Sequence, residues 1–81
     1  MENYNKVFIA VKVYCEQTPN SYAIPNPNVF KNIAAKAKVP LESIDMYLEI
    51  LQRLRLISYS KDDFLITVTP KGMKLDTLFR V

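Results

Sequence analysis

Residues 33–57 read IAAKAKVPLESIDMYLEILQRLRLI, and the reading of the whole chain turns on how that stretch divides. Ile44, Leu48 and Leu51 are three and four residues apart, so they share one face of a helix. Val39-Pro40 interrupts the pattern. Proline has no backbone N–H and disfavours helical dihedrals in the residue before it. Val39 therefore leaves a first helix carrying Ile33, Ala34 and Ala37, and Pro40 opens a second. Two short helices meet at a tight corner, and the second runs straight into the strand-like Leu56-Ile57.

Towards the N-terminus, Val7, Phe8, Val11, Tyr14 and Cys15 recur at helical spacing, which predicts a helix over 3–17. Lys6, Lys12 and Glu16 fall on its other side, while Ile9 and Val13 widen the apolar face enough for cover on more than one side. Thr18-Pro19-Asn20-Ser21 ends this helix with turn chemistry. Pro25 and Pro27 keep the next segment out of helix, and Tyr22-Ala23-Ile24 reads as a short extended piece. Asn28 is the expected N-cap of a helix over 28–38, its side chain accepting from a free first-turn N–H. That helix buries Val29 or Phe30 with Ile33, Ala34 and Ala37, and turns Lys31, Asn32, Ala35, Lys36 and Lys38 outward. The third helix spans 40–55.

Beyond it, Leu56-Ile57-Ser58-Tyr59-Ser60 alternates apolar and polar, Lys61-Asp62-Asp63 breaks the pattern, and Phe64 to Thr69 resumes it. The two runs predict a β-hairpin over 57–69. Thr69 is a good N-cap and Pro70 fits a first helical position, which opens a closing helix over 70–80. Gly72 weakens that helix by about 1 kcal/mol relative to alanine. The expected class is α+β, mainly α, in a single domain over 1–81.

A chain of 81 residues is one small domain, burying only about 60% of its unfolded surface. One cysteine and no histidine exclude an internal disulfide and the paired spacings that bind zinc. Cys15, on an apolar helix face, is expected to be a buried structural thiol. A single glycine excludes a glycine-rich phosphate loop, and without histidine no nucleophile–base pair of the usual kind can form. Glu42, Asp45 and Glu49 on one helix face would hold a cation weakly, since hard cations take ligands from several directions. The expectation is a non-catalytic protein with no cofactor and no metal. No apolar run approaches the roughly 18 residues that cross a bilayer, and MENYNK is a poor signal peptide, so no membrane partner and a cytoplasmic location are expected. A net charge of +3 and a pI near 9.1 mildly favour a polyanionic partner.

Helix, short strand, helix, turn, helix, hairpin, helix resembles the winged-helix (winged helix-turn-helix) superfamily, small stand-alone prokaryotic transcriptional regulators in particular, over nearly the whole chain. The residues that carry the likeness are the 33–57 pattern and Thr67-Val68-Thr69-Pro70-Lys71-Gly72, similar to the LTPKG that commonly closes the wing, with Val68 where leucine is usual. Two positions depart from the pattern. Arg55 stands where glycine often ends the third helix, which implies strain or a differently shaped exit. Pro40 replaces the usual Ser or Thr at that helix's start.

The resemblance implies a regulator that binds double-stranded DNA, its third helix in the major groove. Ser43, Met46, Tyr47 and Arg53 would approach bases, Lys31, Lys36 and Lys61 would hold phosphates, and a homodimer would form through the terminal helices. Against this, the outward face of the third helix carries Glu42, Met46, Glu49 and Arg53, flanked by Ser43, Tyr47 and Ile50 on one side and Asp45 and Gln52 on the other. Carboxylates there repel phosphate, although near the helix N-terminus the dipole favours them. The alternative is a protein-interaction module using Glu42, Met46, Glu49 and Ile50, or Leu75, Leu78 and Phe79 of the closing helix. More plainly, Tyr47 and Ile50 pack on the first helix or the hairpin, the lysines are merely solvated, and Leu75, Leu78 and Phe79 belong to the core.

Overall fold

In the computed structural model, which describes residues 2–18, 20 and 23–74, three helices precede a hairpin and a short fourth helix. They are α1 (Glu2–Gln17), α2 (Val29–Ala37), α3 (Leu41–Arg53), β1 (Ile57–Ser60), β2 (Leu65–Val68) and α4 (Pro70–Met73). The strands pair antiparallel, Ile57 opposite Val68 and Ser60 opposite Leu65. This is the α+β, mainly helical layout expected from the periodicities.

One core joins every layer. Val7, Phe8, Val11 and Tyr14 of α1 meet Val29, Ile33, Ala34 and Ala37 of α2, Ile44, Leu48 and Leu51 of α3, and Leu56, Ile57 and Ile66 of the hairpin. Each helix buries one stripe at i, i+3 and i+4 spacing, the arrangement that lets three short helices share a core. Cys15 is half-buried beside this core rather than inside it, its Sγ 3.9 Å from the Ile66 carbonyl. Of the two α2 candidates Val29 is fully buried and Phe30 only partly.

Both corners around α3 are built on a left-handed residue that is not glycine. Lys38 has φ 58° and Arg55 φ 62°. At the first, the Val39 N–H reaches the Ala34 carbonyl (3.1 Å) and the Lys38 N–H the Ala35 carbonyl (3.3 Å). At the second, the Leu56 N–H reaches Leu51 (3.1 Å) and the Arg55 N–H reaches Gln52 (2.9 Å). These paired bonds are the Schellman closure, which satisfies the last carbonyls of a helix. Arg55 therefore takes the glycine geometry and holds it under strain. A left-handed non-glycine residue is disfavoured by about 1–2 kcal/mol, and glycine's greater freedom in the unfolded chain offsets part of that. Arg55→Gly is expected to raise stability by about 0.5–1 kcal/mol and Arg55→Ala to leave it nearly unchanged. Thermal unfolding checks this: a lower midpoint for the glycine variant would rule the strain out.

The Thr-Pro-Lys-Gly run seals the second corner. The Thr69 hydroxyl donates to the Arg55 carbonyl (2.6 Å) and accepts from the Gly72 N–H (3.1 Å). The Thr69 N–H donates to the Leu56 carbonyl (3.1 Å) and Lys71 Nζ to the Leu54 carbonyl (3.3 Å). Three consecutive carbonyls just past α3 are thus satisfied from one four-residue motif. Thr69 is the N-cap and Pro70 the first helical residue, as expected.

Several expectations are corrected. Asn28 occupies the N-cap position of α2 but its side chain makes no capping bond. Asn26 does that work: its Oδ1 accepts from the Asn28 N–H (3.0 Å) and its carbonyl from the Val29 N–H (3.0 Å). The extended piece at Tyr22-Ala23-Ile24 is not a strand where it is described, because the Ala23 and Ile24 N–H groups both turn back to the Asn20 carbonyl; Tyr22 lies outside the described residues. Pro40 caps α3 in an extended conformation (φ −60°, ψ 142°), so that helix begins at Leu41 and ends at Arg53. The helix expected over 28–38 likewise spans Val29–Ala37. The closing helix is described only as Pro70–Met73, and Leu75, Leu78 and Phe79 lie outside the described residues. No described helix is long and apolar enough to cross a membrane.

Candidate docking face of α3 and the hairpin

With Ile44, Leu48 and Leu51 buried, the opposite side of α3 presents Glu42, Met46, Glu49 and Arg53 to solvent, while Ser43, Tyr47 and Ile50 are half-buried. Leu41 and Met46 are each 51% exposed, large apolar groups left uncovered on a helix that otherwise sorts its residues cleanly.

The charges on this face pair with one another. Arg53 Nη2 lies 2.8 Å from Glu49 Oε1, one turn back along the helix. Lys61, at the hairpin tip, places its Nζ 2.9 Å from Asp45 Oδ2 and so ties the tip to α3. The Asp45 carboxylate, first as hydrogen-bond acceptor and then as a charge, pushes the Lys61 ammonium above its usual range. Burial raises the nearby Tyr59 phenol, the charges of Asp45 and Glu49 raise it further, and Lys61 acts in the opposite sense. Glu42 has no such partner among the described residues.

The hairpin is anchored to α3 and to the loop before α2. Gln52 Oε1 accepts from the Tyr59 N–H (2.9 Å), the Phe30 ring meets Tyr59 edge-on at 6.0 Å, and it also lies 6.4 Å from Phe64. Phe64 turns the hairpin with φ 55°. Its carbonyl accepts from the Asn26 N–H (3.2 Å), while Asn26 Nδ2 donates to the Tyr14 hydroxyl (2.9 Å). Asn26 therefore links α1, the start of α2 and the hairpin tip. Sequence reasoning passed over it, and its only signal was an asparagine between two prolines.

A groove of about 530 Å³ runs between the start of α2, the start of α3 and the hairpin tip. Phe30, Leu41, Ile44 and Phe64 supply its apolar wall, and Lys31, Asp45, Lys61 and Asp62 line it as well. Of the residues proposed for a polyanion, Lys31 and Lys61 are thus brought together beside α3. Lys36 is not: it lines grooves on the α1 side of α2. Tyr47 leans the same way, its ring edge-on to Tyr4 at 4.9 Å and its hydroxyl accepting from Asn3 Nδ2 (3.1 Å). That packing holds part of Tyr47 against α1, whereas Met46 and Arg53 are exposed and Ser43 is half-buried.

The arrangement defines a small α+β protein with an exposed helix flanked by a charged hairpin. No protein-family model matches the chain, and comparisons with curated proteins and with solved structures find no significant likeness.

Proposed function

We propose that this chain is a non-catalytic, cytoplasmic winged-helix regulator that lays α3 against double-stranded DNA with the β1–β2 hairpin as its wing. The observation that supports this is the placement of α3. It is entered through a tight corner from α2, buried on one stripe, open on the opposite one, and bordered by Lys31 and Lys61 in a single groove. Ser43, Met46 and Arg53 approach the bases, and the two lysines hold phosphates. A homodimer would space two such helices for a two-part site.

The internal pairs make the affinity of the native protein modest. Asp45 and Glu49 occupy Lys61 and Arg53 and also repel phosphate. Asp45→Asn with Glu49→Gln is expected to tighten binding to mixed duplex DNA about tenfold at low ionic strength, and to steepen the salt dependence by about two phosphate contacts. Lys31→Glu should weaken it about tenfold, while Lys36→Glu, on the other side of α2, should leave it unchanged. Fluorescence anisotropy across a salt series measures all four proteins. Absence of salt-dependent binding in both the native chain and the double variant would end the DNA reading.

A second reading is favoured by one observation: Leu41 and Met46 stand exposed on a helix where the nearby cations Arg53 and Lys61 are already paired with Glu49 and Asp45. Such a surface suits a protein partner better than a wet cationic interface does. Loss of a captured partner on Met46→Glu with Ile50→Glu, with DNA affinity intact, would select it.

A further inference from the structure

The groove between α1 and α2, on the side of α2 where Lys36 lies, has a different character from the one beside the hairpin. It encloses about 470 Å³ and is lined by Lys6, Ile9, Ala10 and Val13 of α1 with Lys36, Ala37 and Lys38 of α2 and its corner. The α1 residues fall at i, i+3, i+4 and i+7, a single stripe along the helix. Ala10 and Ala37, 4% and 3% exposed, form a floor with no side chain to fill it, and Ile9, 43% exposed, stands at the edge. Lys36 and Lys38 rim this floor beside Lys6, and no carboxylate among the described side chains lines it, whereas the hairpin groove balances two lysines with two aspartates. Lys36 and Lys38 form no ion pair among the described residues. Lys38 is also the left-handed corner residue, so a position where glycine is the least strained choice instead carries an ammonium at the rim.

The geometry points to this groove as the docking site for a partner segment that is an amphipathic helix with an apolar stripe flanked by Asp and Glu. The apolar floor takes the stripe, and the lysine rim takes the acids. Nucleic acid would set phosphates over Ile9 and Val13 and offer them no apolar anchor. A bilayer surface calls for a protruding apolar face, and this one is concave. The inference stands apart from the DNA reading, since it uses the α1–α2 side and none of the outward α3 residues.

The test uses the whole chain and two synthetic helical peptides with the same leucine stripe, one flanked by glutamates and one by lysines. The expected result is that the glutamate peptide shifts backbone amide resonances at 6–13 and 36–38, more weakly as salt rises, and that the lysine peptide does not bind. Lys36→Glu with Lys38→Gly keeps the corner geometry and should weaken the glutamate peptide about tenfold, as expected for two rim charges. Ile9→Ser, at an exposed position, should weaken it as well. Shifts confined to α3 and the hairpin, equal binding of both peptides, indifference to the variants, or displacement of the peptide from the groove by duplex DNA would each overturn the inference. So would self-association of the chain through the same amides in the absence of peptide.

Discussion

Gly72→Ala is expected to destabilise the protein by about 3 kcal/mol, at the upper end of what overpacking a filled site costs. Helix propensity points the other way, since alanine is favoured over glycine by about 1 kcal/mol inside a helix. The structure decides between them through space. A Cβ built on Gly72 would stand inside the contact distance of the Leu56 carbonyl oxygen and 2.8 Å from Val68 Cγ1. The oxygen belongs to backbone held by the Leu56 N–H bond to Leu51 and the Thr69 N–H bond to Leu56, so it has no rotamer to retreat into. Relief requires α4 to lift off the hairpin, which breaks the Gly72 N–H bond to Thr69 and strains the Thr69 bond to the Arg55 carbonyl. For a domain of this size the loss corresponds to a melting temperature lower by roughly 12–24 °C. A higher melting temperature for the alanine variant would show that propensity outweighs the contact.

The second large effect is expected at Phe8. Its side chain heads the fully buried residues by volume, at 0% exposure, while its chain neighbour Ile9 is 43% exposed. α1 packs on α2, on α3 and on β2, and Phe8 is a fully buried member of the core they share. Phe8→Ala removes a ring and leaves a cavity, about 3–5 kcal/mol, a large part of the 5–15 kcal/mol that holds a small domain folded. Ile9→Ala, one residue along, should change stability by less than about 0.5 kcal/mol. Denaturant titration of both gives the contrast. Similar losses at the two positions would mean that α1 is rotated from the orientation described.

Much of this fold was legible because its cues are local and periodic. Ile44, Leu48 and Leu51 alone orient α3, and the sorting of its other faces follows by rotation, with Glu42, Met46, Glu49 and Arg53 all exposed. Val39-Pro40 marked the first corner, and Thr69-Pro70 the start of α4. What escaped the sequence depends on contacts distant along the chain. Asn26 and Asn28 are equally good caps by composition, and what sets them apart is that Asn26 is also held by Tyr14 and Phe64. Gly72 looked like a flaw in a helix until the Leu56 carbonyl came beside it. The face of α3 was legible as acidic, but the Lys61–Asp45 pairing spans the hairpin and could not be read from spacing. The separation of Lys31 from Lys36, by contrast, was open to the same rotation, since five residues at about 100° each place the two lysines about 140° apart around α2.

The bridge from Lys61 to Asp45 gives the hairpin tip a resting place of its own. On the proposed DNA reading, a polyanion arriving at that tip competes with a carboxylate already seated there, and dissolved ions loosen both attachments together. Ionic strength therefore works against itself at this position, and the count of released counterions should fall short of the count of lysines that face the polymer.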